Sequence, residues 1–261
     1  YTQLKSIIEL QSTTGGLMVA EASGFSFQVT HSNGASQEEI QKVVSDYLDQ
    51  HINTNKILSC LVIDLPYNMY WFDKMSATIT SFYYSTNGTT TTVSTLRYEL
   101  PVYETYQGDY AESPENNKYY LDPQAAARAE SIVAYAKQIV DENKNKSDWD
   151  KLKAYKDKIC ELVSYNTEAS DIASDPSHPL YSTLYGDPFQ ILYVFDQDPS
   201  TNVVCEGYGK AFQYLCDLST FDNTQVYSII GELQGGTGVP GGHMWNVVRY
   251  NGKNYVVDVT N

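Results

Sequence analysis

From Ser36 to Leu48 the apolar positions recur with helical spacing, and Ile40, Val43, Val44, Tyr47 and Leu48 fall on one face. Ser36, followed three residues later by Glu39, supplies a capping box at the start of that helix. The apolar run ILSCLVIDL follows. Two β-rich runs, SATITSFYYS and TTTTVSTLRYEL, then flank Asn87-Gly88, a pair that favours a two-residue hairpin loop. Asn87-Gly88-Thr89 is also a glycosylation sequon, but the turn accounts for it without modification.

Between about Pro101 and Asp122 the chain turns polar and rich in Tyr, Glu and Asn. A boundary there divides a smaller α+β N-terminal region, 1–115, from a second region, 116–261. Asp122-Pro123 reads as a capping side chain followed by proline at the first helical position, opening a helix through QAAARAESIVAYAKQIV. Lys144 to Lys146 break the pattern. Ser147 caps the next helix, whose apolar face is Trp149, Leu152, Tyr155, Ile159 and Leu162. The stretch TEASDIASDPSHPLYSTLYGDPF reads as a long irregular loop. A helix over about 205–218 follows, then a strand over 225–232, a glycine-rich loop, and strands over 243–249 and 254–260. The fold class is α+β.

The last two strands can be put in register. Asn251-Gly252 is the preferred pair for a two-residue loop, which sets Tyr250 opposite Lys253, Val248 opposite Tyr255, Asn246 opposite Val257 and Trp245 opposite Asp258. Side chains alternate between faces along a strand, so His243, Trp245 and Val247 share a face with Val256, Asp258 and Thr260. His243 and Asp258 become diagonal neighbours, within about 5–8 Å at their Cβ atoms. That spacing lets a carboxylate orient an imidazole.

Composition narrows the partners. A formal net charge of −15 and a pI near 4.5 argue against nucleic acid, which needs clustered Lys and Arg. No apolar run approaches the roughly 20 residues that a bilayer requires, so no membrane insertion is expected. The opening Tyr1 and the abundance of Tyr, Ser and Thr suit a processed extracellular or cell-surface protein whose signal peptide has been removed. Four cysteines are too few for a disulfide scaffold, and Cys60, Cys160 and Cys216 read as small buried hydrophobes.

Cys205 reads differently. It opens a helix with Tyr208, Phe212 and Leu215 on the inner face, where backbone N–H groups, the helix dipole and a nearby His⁺ are expected to lower the thiol pKa. Gly207 and Gly209, costly in a helix, read as clearance for a substrate passing close to the sulfur. The Cys205 N–H is a candidate oxyanion-hole donor.

VCEGYGKAFQYLCD, GGHMWNVV and NGKNYVVDVTN together resemble the three core blocks of the transglutaminase-like (papain-like cysteine protease) superfamily, in its bacterial secreted or surface form. The helix ending in VSYN resembles that family's lead-in, so the likeness spans about residues 120–261. It implies a papain-like/transglutaminase-like core, with the Cys-bearing helix packed on an antiparallel sheet that bears His and Asp. Cys205 would be the nucleophile, His243 the general base and acid, and Asp258 the residue that orients His243. The implied chemistry is acyl transfer on a protein or peptide amide through a thioester, with water or a primary amine as second nucleophile. The alternative is a non-catalytic papain-like binding module. Gly209 and Met244 stand where the family usually has alanine, Asn261 where tryptophan is common, and the segment before Cys205 is longer than usual. Gln190, Tyr193, Gly207, Tyr208 and Trp245 are the accompanying candidates for oxyanion or substrate contacts.

Gly236, Gly238 and Gly241 spell a literal G-x-G-x-x-G, but it precedes a strand and contains Pro240, so it reads as a mobile loop beside the site rather than a dinucleotide fingerprint. His31, His51 and His178 lack metal-ligand spacing, and no metal or cofactor is expected.

Overall fold

The computed structural model describes residues 1–181, 186–234 and 241–260. It is a mixed α+β fold with antiparallel sheets. Helix α1 (Thr2–Thr14) leads into β1 (Gly16–Leu17) and the long β2 (Val19–Thr30). Helices α2 (Gln37–His51) and α3 (Thr54–Asp64) follow, then the hairpin β3 (Ile79–Asn87) and β4 (Thr90–Glu99). Strands β2, β4 and β3 form one antiparallel sheet in that order. The capping box of α2 closes as its sequence implies, the Glu39 N–H donating to Ser36 Oγ and the Ser36 N–H to Glu39 Oε2. The first hairpin turns one residue later than the sequence suggests. Asn87 pairs with Thr90, so Gly88 and Thr89 form the loop, with Gly88 taking the positive φ of 61°.

Short β5 (Tyr120–Leu121) pairs with β1, tying the chain on either side of the sequence boundary together. Helix α4 (Pro123–Asn143) is capped by Asp122, and α5 (Asp148–Leu162) by Ser147. Leu152, Tyr155 and Ile159 of α5 are buried as its pattern requires, whereas Trp149 is half exposed and lies against Tyr250 and Tyr255. Strand β6 (Ser164–Tyr165) comes next. The stretch read as a loop holds a further helix, α6 (Thr167–Ser174), because the Asn166 side chain caps it and Ala169 and Ile172 bury its inner face. Helix α7 (Leu192–Phe195) and β7 (Asn202–Val203) lead to α8 (Cys205–Asp217).

Strands β8 (Thr224–Leu233), β9 (Gly241–Tyr250) and β10 (Lys253–Val257) complete the fold as a sheet ordered β10-β9-β8. Helix α8 is buried from Glu206 to Cys216, packing on β8 and β9 and against α5 and α7. One hydrophobic core runs from Leu4 through Trp71, Ala126 and Phe212 to Val259, so both sequence regions contribute to it. Cys216 is buried, but Cys60 and Cys160 are exposed, contrary to their reading as buried hydrophobes. On α3 the core-facing positions are Leu58, Leu61 and Val62, which turns Cys60 outward. Among the described residues no helix is long and apolar enough to cross a membrane.

Candidate functional site

The C-terminal hairpin has the register its turn predicts: Tyr250 pairs with Lys253, Val248 with Tyr255 and Asn246 with Val257. Asn251 and Gly252 take the positive φ values, 49° and 77°, that a type I′ loop needs. Strand β10 ends at Val257, one residue before Asp258. His243 Nε2 and Asp258 Oδ2 lie 2.8 Å apart, with the imidazole largely buried. The second Asp258 oxygen accepts from the Thr260 N–H at 3.1 Å and from the Thr260 hydroxyl at 2.6 Å. Thr260 therefore fixes the acid that holds the histidine. The D-x-T spacing carried that signal, since a hydroxyl two residues after an aspartate closes a local turn.

Met244, Asn246 and Val248 alternate with His243 along β9 and are buried against α8. The Asn246 amide donates to the Gly209 carbonyl at 3.2 Å and to Ser228 Oγ at 3.1 Å, pinning strand to helix. The two helix glycines have a packing reason. A Cβ on Gly207 would meet the Val203 side chain at 2.6 Å, and one on Gly209 would meet Met244 Cγ at 2.9 Å. They admit β7 and β9 to the helix surface rather than clearing space for a ligand, which replaces the clearance reading.

Cys205 is partly buried at the first position of α8, and its N-cap, Val204, offers no side-chain cap. The segment entering the helix is clamped on two sides. The Asn166 N–H donates to the Val203 carbonyl at 3.0 Å, and the Val204 N–H to the Pro188 carbonyl at 2.9 Å. Parallel pairing of β6 with β7 sets Tyr165 beside Val203, its ring stacked on Tyr208 at 6.3 Å. The Tyr165 hydroxyl faces the Cys205 backbone N–H, with Asp258 nearby, so this half-exposed tyrosine of the VSYN segment lies beside Cys205, a role that its place in that segment did not by itself assign.

The thiol departs from expectation in one respect. Burial pushes the Cys205 pKa up. The Met244 and Glu206 backbone N–H groups favour the thiolate, while the Glu206 and Asp258 carboxylates oppose it. The balance is a raised pKa, not the lowered one that a helix terminus alone would give. Such a thiol rests protonated and needs a base at the moment of attack.

Of the accompanying candidates, Gln190 is fully buried and accepts from Lys210 Nζ at 3.0 Å. Tyr193 lies beside Asp187, and Tyr208 is buried with its hydroxyl donating to the Val163 carbonyl at 2.9 Å. Trp245 stacks on His243 at 6.0 Å and packs on Gly231, within the sheet face that carries the histidine. Gly236 and Gly238 lie outside the described residues, while Gly241 begins β9. Among the described residues no group of three or more His, Cys, Asp or Glu side chains could hold a metal ion.

No family model matches the chain, and no curated protein does. Among solved structures, one described as a crystal structure of a TGase is similar at 15% identity and a TM-score of 0.40. The likeness covers 90% of this chain and 50% of that one, so this chain spans half its length.

Proposed function

We propose that this chain is a cysteine-dependent acyl-transfer enzyme of transglutaminase-like type, acting on a protein or peptide amide, with Cys205, His243 and Asp258 as its triad. The observation that carries the reading is the 2.8 Å pairing of His243 Nε2 with Asp258, on a strand packed against the helix that Cys205 opens. With Nε2 held by the carboxylate, Nδ1 is the nitrogen left to take the thiol proton. As the Cys205 sulfur bonds to the substrate carbonyl carbon, that proton passes to His243, and the imidazolium is stabilised by Asp258. The tetrahedral oxyanion draws on the first-turn N–H groups of α8, to which the N-cap residue Val204 offers no side-chain acceptor. Collapse expels the amine, which leaves with the proton from His243, and a thioester remains on Cys205. Water then gives the acid, or a primary amine gives a new amide, with His243 again moving the proton.

The raised thiol pKa fits general-base activation better than a resting ion pair. It also suits the second reading, a non-catalytic binding module, and the two separate in one experiment. Incubation with p-nitrophenyl acetate should give a burst of nitrophenol and a single acetyl group on Cys205 by peptide mass mapping. Cys205→Ala should abolish both. His243→Ala should slow acylation about 10²–10⁴-fold. Added primary amine should accelerate turnover if amines compete with water. Acetylation that is absent, or spread equally over Cys60 and Cys160, would leave the binding module.

A further inference from the structure

Lys210 is the most deeply buried charged side chain of the site helix, with no exposed surface at all. Its ammonium lies 2.8 Å from Glu206 Oε1, 3.0 Å from Gln190 Oε1 and 3.4 Å from the Phe189 carbonyl oxygen. Glu206 immediately follows Cys205. Its other oxygen, Oε2, lies 2.8 Å from the ammonium of Lys74, a residue 132 positions earlier on the segment between α3 and β3. The Lys74 ammonium also sits 5.8 Å over the Phe189 ring. Two lysines from distant parts of the chain therefore converge on the carboxylate beside the candidate nucleophile and on the 189–190 segment.

Stability alone accounts poorly for this arrangement. Burial drives the Lys210 pKa down and opposes the charge on Glu206, whose carboxyl the two lysines hold well below its usual range. Well-packed apolar residues of similar volume would commonly do as well or better in such a place. What the ion cluster supplies is geometry. Two directional contacts on one carboxylate, both short, fix the first turn of α8 and hence the Cys205 backbone. The same Lys210 fixes Gln190 and Phe189 relative to that turn.

We infer that Lys74 is a positioning residue for Cys205, acting through Glu206, so that the segment preceding β3 sets both the placement and the charge environment of the sulfur. The inference rests on the reading of Cys205 as the nucleophile. Besides His243, which the proposed mechanism sets against the thiol, the groups that act on Cys205 include Glu206 on its own helix, the backbone N–H of Met244 on β9, Asp258 beyond β10 and Tyr165 on β6. Of these, Glu206 is the acid whose charge Lys74 offsets. Removing Lys74 leaves that carboxylate acting more strongly against the thiolate. Removing the Glu206 charge does the opposite.

The test is the pH dependence of iodoacetamide alkylation at Cys205, followed by peptide mass mapping on the intact chain. Lys74→Met should move the midpoint up by about half a pH unit or more, and Glu206→Gln should move it down by a similar amount. The double variant should return towards the wild-type midpoint, and Lys74→Arg should keep it. Thermal unfolding of each variant identifies the folded ones, and Lys74→Arg and Lys74→Met decide the matter where Glu206→Gln fails to fold. Equal midpoints in wild type and Lys74→Met, or shifts of the same sign in Lys74→Met and Glu206→Gln, overturn the inference while leaving Cys205 as nucleophile. A wild-type Cys205 that resists alkylation at every pH removes both.

Discussion

Replacing Gly209 by alanine adds one methyl group at the contact between α8 and β9. Its carbon would lie 2.9 Å from Met244 Cγ and 3.0 Å from Met244 Sδ, where ordinary carbon contacts are about 3.5–4.0 Å. Met244 is almost wholly buried, so its thioether has little room to retreat, although its flexible chain moderates the strain. Two terms oppose each other. Alanine in place of glycine favours a helix interior by about 1 kcal/mol, whereas overpacking a core costs about 1–3 kcal/mol. The net expectation is about 1 kcal/mol of destabilisation, a Tm lower by roughly 3 °C for a chain of this size. Met244→Ala alone should cost about 2–5 kcal/mol through the space it leaves. In that background the alanine at 209 gains room, keeps its helical advantage and buries a methyl, so Gly209→Ala should stabilise by about 1–2 kcal/mol. The two changes thus couple by about 2–3 kcal/mol, as contacting residues do. Urea unfolding of the four proteins at neutral pH measures this directly. A Gly209→Ala change that stabilises the wild-type background, or that has the same sign in both, would refute the packing account.

Two further outcomes follow from named contacts. Asp148 accepts from the N–H groups of Asp222 and Asn223 and, at 2.8 Å, from the Thr224 hydroxyl, so Asp148→Asn should destabilise by about 2 kcal/mol at pH 7. Burial raises this carboxyl, but those donors and Lys151 together hold its pKa below the ordinary value. Its contribution is therefore complete above the unfolded carboxylate pKa of about 3.9 and fades as pH falls through the lower folded value. Unfolding midpoints for the pair should converge in acid, and a constant difference down to the lowest folded pH would sink the assignment. Thr260→Val removes the 2.6 Å hydroxyl contact to Asp258 while leaving the backbone contact. Acylation should slow about tenfold with little change in KM, and Thr260→Ser should restore it.

How far the sequence carried depended on how local each determinant was. Asn251-Gly252 set the turn, the turn set the register, and the register brought His243 and Asp258 within a hydrogen bond. Every step there lies within twenty residues. The Ser36, Asp122 and Ser147 caps were legible for the same reason, since a cap acts within one helical turn. Non-local determinants were not legible. Gly209 reads as a flaw in a helix until Met244 lies on it, and no helical period announces a strand 35 residues further on. The irregular stretch after Tyr165 hid α6, because Asn166 acts as a cap only once its side chain meets the Ala169 N–H. Cys60 and Cys160 were misplaced because an apolar neighbourhood in sequence says nothing of which face of a helix turns outward.

The thiol shows most plainly how local and global electrostatics part company. A helix terminus and a histidine argue for an easily ionised sulfur, and the Met244 and Glu206 backbone N–H groups do act in that direction. The chain, however, carries 32 acidic residues against 17 basic ones, and two of the acids, Glu206 and Asp258, come to rest beside the sulfur in a buried setting. Neither is left as a bare charge. Glu206 is held between Lys74 and Lys210, and Asp258 between His243 and Thr260. An acid whose charge is offset at 2.8 Å disturbs a neighbouring thiol far less than one facing it alone, because the opposite charges cancel with distance. On the proposed mechanism those engagements keep a thioester-forming cysteine usable inside a strongly acidic protein. Breaking the Glu206 engagement should therefore raise the alkylation midpoint without moving Cys205 to another place in the fold.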